Sequence, residues 1–232
     1  MTIEADRDVD ARYGHMRGRF GGARPEANGY RLQAFFRREQ RVLLAALERE
    51  TGPILDAASG SGLMLGPLVR QGRPVLGLDF NAEACAAAKG NGLLTIRGDA
   101  FNLPLADDSI GQIVNCQFLN QQPSDRSKVF IGECARVLKS GGQLIVLWRH
   151  AESLIHRAAH MGFSILDRVS RRPRFPQYVH PMQEIKAFAE ESGLEVQREA
   201  VTLPFLKPDI LCADSVWAGV VGASLFIVLR KP

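Results

Sequence analysis

The stretch Ile54-Leu55-Asp56-Ala57-Ala58-Ser59-Gly60-Ser61-Gly62-Leu63-Met64-Leu65 decides the fold. An apolar run ends in an acid, small residues and two glycines follow, and an apolar helical pattern begins. That order reads as a parallel strand, a tight turn and a helix start, the βα unit of a nucleotide-binding sheet. Glycine and small residues let the backbone turn sharply and approach a ligand closely. The first N–H groups of the following helix have no intrahelical acceptors, so they suit an anion such as a carboxylate or phosphate.

Details of the turn narrow the ligand. A phosphate-loop NTPase needs Lys-Ser/Thr after its second glycine, and none follows Gly62. In the dinucleotide pattern G-x-G-x-x-G the third glycine would fall one residue before Gly66. Asp56 stands ahead of the glycines and closes the strand, a place that suits a cationic group on the ligand. S-adenosylmethionine offers both an ammonium and a carboxylate.

Four blocks, in order, carry a resemblance to the class I S-adenosylmethionine-dependent methyltransferases. Asp56-Ala-Ala-Ser-Gly-Ser-Gly62 resembles their motif I, D-x-G/A-x-G-x-G. Val75-Leu-Gly-Leu-Asp79-Phe80-Asn resembles motif II, in which an acid ends the second strand. Gly98-Asp99-Ala100-Phe-Asn-Leu103-Pro104-Leu-Ala-Asp107-Asp-Ser-Ile110 resembles G-D-A-x-x-L-P-F-x-D-x-S-F-D. Glu133-Cys-Ala-Arg136-Val-Leu-Lys-Ser-Gly141-Gly142 resembles E-x-x-R-V-L-K-P-G-G ahead of strand five. Together they cover about residues 50–150.

The resemblance implies a three-layer Rossmann-like α/β sandwich with a seven-stranded, mostly parallel sheet and an antiparallel last strand. It implies S-adenosyl-L-methionine as cofactor, held by Asp56, Ala57, Ala58, Gly60 and Gly62 of the turn. Asp79 would accept hydrogen bonds from the ribose hydroxyls, with Phe80 beside it. Asp99 would meet the adenine amino group, Ala100 would offer a neighbouring N–H, and Leu103-Pro104 would wall the ring. The strand-four end, Asn115-Cys116-Gln117, would lie beside the methionine part. Strand four also departs from the family: Ile110-Gly111-Gln112-Ile113 replaces F-D-x-V, and Asn120-Gln121 stands where paired histidines are common. No N/D-P-P-Y/F motif is present, which disfavours amino methylation of a DNA base.

The rest of the chain supports one methyltransferase domain over residues 1–232. Hydrophobic content of 46% and 23% charge suit a globular protein of this length. The first residues are polar and charged, so no secretory leader is expected. The uncharged stretch Ser215 to Leu229 is shorter than the ~20 residues of a membrane helix, and its end reads as a buried strand. The four cysteines form no C-x-x-C pair, which fits a reducing cytoplasm and argues against a zinc site. Cys134 shares an apolar helix face with Phe130 and Val137 and reads as core.

Residues 1–29 read as an irregular arm, and Tyr30 to Arg49 as a helix. In the resembling family such segments fold over the cofactor, which makes Tyr13, Arg17 and Arg31 candidates. Helices are predicted at Leu63–Arg70, Ala82–Lys89 capped by Asn81, Ser124–Lys139 capped by Ser124 and stopped by Gly141-Gly142, Leu154–Val169, and Pro181–Ser192. Strand one follows Gly52-Pro53 and is closed by Asp56, and further strands are predicted at 74–79, 93–97, 110–116, 143–148, 194–203 and 223–230, the last two as a hairpin. The segment 150–180 would form a helical insertion on the substrate side.

Methyl transfer from a sulfonium is an in-line displacement of a neutral leaving group, so alignment and desolvation can supply most of the acceleration. A general base helps where the acceptor must lose a proton. His150, directly after strand five, and His180 are the candidates. His156 and His160 sit four apart on a helix, but no third ligand accompanies them and no metal is expected. Net charge is +4. Six arginines (149, 157, 168, 171, 172, 174) face two acids over residues 149–175. These arginines suit an anionic small-molecule acceptor. The Arg171-Arg172-Pro-Arg174 cluster would instead serve RNA in an RNA methyltransferase. Against nucleic acid, no RNA-binding module and few aromatics accompany it. A non-catalytic S-adenosylmethionine-binding protein is a third reading. The acceptor and the oligomeric state stay open at this level.

Overall fold

The computed structural model describes residues 33–47, 52–154, 157–158, 161, 178–203, 210–212, 220 and 222–232. Helix α1 (Gln33–Leu47) precedes strand β1 (Ile54–Ala57). Then follow α2 (Gly66–Arg70), β2 (Val75–Asp79), α3 (Ala82–Gly90), β3 (Leu94–Arg97) and β4 (Ile110–Cys116). A 3₁₀ turn (Leu119–Gln121), α4 (Ser124–Val137) and β5 (Leu138–Arg149) come next. The chain ends with α5 (Met182–Glu191), β6 (Glu195–Thr202), β7 (Ile210–Cys212) and β8 (Ser224–Arg230).

The sheet runs β3-β2-β1-β4-β5-β8-β6-β7. Strands β1 to β5 pair in parallel, while β8 is antiparallel to both β5 and β6. Seven of these eight strands are the expected ones, and β6 and β8 form the expected hairpin neighbours. The connection between them adds one unforeseen element, the three-residue edge strand β7 paired with β6. The run Ile-Leu-Cys is too short to stand out as a strand by periodicity.

Two apolar layers follow from the side-chain alternation of the strands. One face carries Leu55, Ala57, Ile113, Leu144, Val146 and Trp148 under Phe130, Ile131 and Cys134 of α4 and Ile185 and Ala189 of α5. The other carries Ile54, Val114, Ile145, Leu147 and Phe226 under Phe36, Val42, Leu43 and Leu47 of α1, with Leu68 and Ala88 of α2 and α3. The sheet is thus the middle of three layers. Cys134 is fully buried, as expected. No described helix is long and apolar enough to cross a membrane.

Three boundaries differ from expectation, each for a local reason. Helix α2 starts at Gly66 because Pro67 lacks an N–H and fits only a first turn. Ser124 does not cap α4: Pro123 holds the N-cap place, its carbonyl accepts from Ser127 N at 2.9 Å, and the Ser124 hydroxyl donates to Glu184 Oε1. Gly141-Gly142 does not stop that helix. The chain turns straight from Val137 into β5, and the glycines lie in a bulged stretch of that strand, where the pairing with β4 shifts register. A Cβ on Gly142 would stand 2.8 Å from Lys139 O and 3.0 Å from Gly111 O. The glycine is there for backbone contact. Asn81 does cap α3, accepting from Ala84 N at 2.8 Å. Of the helix expected over 154–169, the described residues 154, 157, 158 and 161 are helical.

Candidate active site

The parallel strands β1, β2 and β4 end side by side, and the turns leaving them form the carboxyl edge where open α/β sheets bind ligands. The turn after β1 is held open by backbone geometry. Ala58, Gly60 and Gly62 take φ of 58°, 56° and 70°. Ser59 N donates to Leu78 O of β2 at 2.9 Å, and Gly62 N donates to Ser59 O at 2.9 Å. A Cβ on Gly62 would meet Leu93 Cδ2 at 2.7 Å, so this glycine lets the turn pack onto the chain leaving α3.

Asp79, at the end of β2, reaches back to this turn. Its Oδ2 accepts from Gly60 N at 2.8 Å and its Oδ1 from Asn81 N at 3.0 Å. One carboxylate therefore joins the glycine turn to the cap of α3. Phe80 is half exposed next to it, with the Arg97 guanidinium 5.8 Å from its ring centroid and Arg97 Nε donating to its carbonyl.

Asp56 is buried at 2% exposure, and its Oδ2 finds no hydrogen-bond partner among the described residues. Burial first, then the nearby Asp79 carboxylate, push its pKa up from 3.8 to about 7. On β4, Asn115 Nδ2 donates to Ala57 O at 2.8 Å while its Oδ1 has no partner among the described residues. The Cys116 thiol is pushed well up by burial and by the Asp56 and Glu39 carboxylates. Gln117 adopts φ of 62°, in the left-handed region. These atoms are acceptors, and a cation with N–H donors is the complement they lack.

The loop carrying Asp99 is clamped from below. Asp99 is exposed, its Oδ1 accepting from Phe101 N at 2.9 Å, and Ala100 is buried. Arg136 of α4 donates to the carbonyls of Leu103 and Leu105, to Asp107, and in a fork to both oxygens of Glu133. Glu133 in turn accepts from Leu103 N at 2.8 Å. The hydrogen bond from Arg136 is the main reason the Glu133 carboxyl lies below its usual range. The G-D-A-x-x-L-P and E-x-x-R blocks are therefore one structural unit.

The two histidines separate. His150 is buried at 9% exposure just beyond β5, its backbone N–H bonded to Ala223 O at 3.0 Å, at the carboxyl edge. His180 is not placed as a base. Its Nδ1 lies 2.8 Å from Glu184 Oε2, its Nε2 2.9 Å from Gln122 O and 3.1 Å from Leu119 O, and its carbonyl accepts from Trp148 Nε1. Both ring nitrogens are engaged by protein at 2% exposure, so the ring ties α5 to the turn before α4. Asn120 is likewise structural, taking Arg149 N on its Oδ1 and Tyr178 N on its carbonyl. Tyr13, Arg17, Arg31, His156, His160, Arg171, Arg172 and Arg174 lie outside the described residues.

Sequence reasoning missed Glu39. It sits on α1 between Phe36 and Leu43, buried at 4% exposure. Its Oε1 accepts from Gln117 Nε2 at 3.0 Å and from the Ser224 hydroxyl. A charged residue at helical spacing on an otherwise apolar stripe was the available signal.

Comparison with known proteins decides the family. A methyltransferase-domain family model matches residues 55–146. The malonyl-[acyl-carrier protein] O-methyltransferase of Methylococcus capsulatus is 32% identical over 209 residues, covering 72% of this chain and 73% of that protein. The chain belongs to the class I S-adenosylmethionine-dependent methyltransferases. A demethylmenaquinone methyltransferase of Paenarthrobacter aurescens is 28% identical over 68% of this methyltransferase and 65% of its own length. The chain spans 48%, 65% and 40% of the first three curated relatives it matches. A solved S-adenosylmethionine-dependent methyltransferase of Thermotoga maritima superposes with a TM-score of 0.70 at 21% identity, over 95% of this chain and 100% of that one, a likeness of fold. The cofactor is S-adenosylmethionine. The unpartnered acceptor atoms of Asp56 and Asn115 and the pinned Asp79 carboxylate fit its ammonium and ribose.

Proposed function

We propose that this methyltransferase moves the methyl group of S-adenosylmethionine to a small-molecule acceptor. The observation that carries the cofactor half is Asp79, whose two oxygens are aimed by Gly60 N and Asn81 N at the mouth of the glycine turn. A carboxylate held in this way has no rotamer left to order when it accepts ribose hydroxyls. When bound, the cofactor supplies an electrophilic methyl on a sulfonium that departs as a neutral thioether.

The protein's own residues then have four tasks. Asp79 and Gly60 hold the nucleoside end, with Phe80 beside it, and Asp99 and Ala100 hold the adenine edge on the clamped loop. Asp56 and Asn115 take the amino-acid end. Cys116 and Gln117 line the approach beside β4. His150 receives a proton where the acceptor is a hydroxyl or amine. The excess of arginines over residues 149–175 favours an anionic acceptor. Support for a small molecule comes from the names of similar proteins, whose acceptors are demethylmenaquinone and a fatty acid.

Calorimetry with S-adenosylhomocysteine and NAD tests the cofactor half. Binding of the first and not the second is expected, with a loss of at least tenfold in Asp79→Ala; clear NAD binding with no S-adenosylhomocysteine binding overturns it. Filter binding of bulk tRNA and rRNA at two salt concentrations tests the acceptor half. Tight binding with a slope of several phosphates, lost in Arg171→Ala/Arg172→Ala/Arg174→Ala, would replace the small molecule with RNA.

A further inference from the structure

Helix α1 lies outside the span matched by the methyltransferase family model, yet three consecutive residues of it reach the carboxyl edge. Arg38 Nη1 donates to Leu203 O beyond β6, and Gln40 Nε2 lies 2.9 and 3.0 Å from the carbonyls of Leu63 and Met64 after the glycine turn. Between them Glu39 points inward, to Gln117 at the end of β4 and Ser224 at the start of β8.

The polarity of this buried network is set by chemistry. An ionised carboxylate only accepts hydrogen bonds. The Ser224 hydroxyl donates its one hydrogen bond to Glu39, so Ser224 Oγ accepts from Gln117 Nε2, 3.3 Å away. Both contacts therefore claim the NH₂ end of the Gln117 amide. Its other end, Oε1, is turned away, buried, and has no hydrogen-bond partner among the described residues. The backbone is held as firmly. Gln117 N donates to Leu147 O at 2.7 Å and Gln117 O accepts from Gln121 Nε2 at 3.1 Å, around a left-handed φ of 62°. A non-glycine residue in that region is strained and persists where its surroundings determine it.

We propose that Glu39 is a positioning residue: it fixes the Gln117 amide so that Oε1 faces the ligand cleft and accepts an N–H of the cofactor's ammonium. Helix α1 is thereby part of the cofactor site and not only a cover on the sheet. This inference rests on the S-adenosylmethionine reading.

The test is calorimetry with two probes, S-adenosylhomocysteine and 5′-methylthioadenosine, which lacks the amino-acid part. The proteins are wild type, Glu39→Gln, Glu39→Ala, Gln117→Leu and the double variant Glu39→Ala/Gln117→Leu, each checked by circular dichroism. Glu39→Ala and Gln117→Leu should each weaken S-adenosylhomocysteine about tenfold and leave methylthioadenosine unchanged. The double variant should be no weaker than Gln117→Leu, and Glu39→Gln, which keeps an acceptor oxygen, should stay near wild type. Equal weakening of both probes, additive losses in the double variant, or unchanged S-adenosylhomocysteine binding in Gln117→Leu would overturn the proposal. If Glu39→Ala does not fold, the selectivity of Gln117→Leu between the two probes decides. A wild type that binds neither probe would instead bring down the cofactor reading itself.

Discussion

Replacing Asp56 by Asn should stabilise the free protein strongly at alkaline pH and much less in mild acid. Asp56 is enclosed at the end of β1, has no partner on Oδ2 among the described residues, and lies near the Asp79 carboxylate. Folding raises its pKa from 3.8 to about 7. The sign is opposite to that of a salt-bridged acid. Between those two values the folded chain holds a proton that the unfolded chain has lost, so stability falls as pH rises. Above about pH 7 both states are ionised and the penalty is complete, at most about 4 kcal/mol for a displacement of this size. Asn matches the protonated side chain in shape and never ionises. Urea unfolding of wild type and Asp56→Asn at pH 5 and pH 8 measures the difference, and taking the difference cancels groups of opposite sign such as Glu133. We expect the Asn variant to be more stable by roughly 1–2 kcal/mol at pH 5 and by roughly 3–4 kcal/mol at pH 8. An equal difference at both values would refute the buried, proton-bound Asp56. The ammonium of the cofactor removes the penalty by giving the carboxylate a partner, so S-adenosylhomocysteine should release protons on binding near pH 7 to wild type and not to Asp56→Asn.

Three further outcomes are expected. Gly62→Ala places a Cβ 2.7 Å from Leu93 Cδ2 at φ of 70°, and should cost about 2–3 kcal/mol by thermal or urea unfolding; an unchanged midpoint would show that the turn adapts freely. Arg136→Ala removes the guanidinium shared by Glu133 and the carbonyls of Leu103 and Leu105, and should cost about 2–3 kcal/mol at pH 7 and weaken S-adenosylhomocysteine by loosening the Asp99 loop. The Glu133 pKa is lowered by that pairing, so its contribution exists above the usual carboxylate range and should fade as pH falls, a fading absent from the variant. His180→Ala should destabilise by about 3 kcal/mol with cofactor affinity unchanged; retained stability with lost methyl transfer would restore it as a base.

The order of elements, the parallel core and the acids at the two strand ends were legible in the chain because each depends on neighbours in sequence. Apolar runs of strand length, the acids Asp56 and Asp79 at two strand ends, and glycines at the turn between them need only local geometry to be read. Asn81 as a cap and Cys134 as core are local in the same sense. What failed was local reading where a distant partner competed. Ser124 bonds Glu184 of α5 in place of capping its own helix, and Gly141-Gly142 serve the bulged start of β5, close to Gly111 O. His180 resembles a base in sequence, but its two ring nitrogens are claimed by groups 4 to 61 residues away. Glu39, Gln117 and Ser224 are separated by 78 and 107 residues and meet only because α1 packs across the sheet beside the β4 and β8 ends. A hydrogen bond acts over about 3 Å, so its partners are decided by packing and not by the pattern of either segment. The same physics divides the charge: the sequence by itself determined that Asp56 is an acid at a strand end, and the tertiary structure decided, by burying it next to Asp79, that it keeps its proton near neutral pH until a cation arrives.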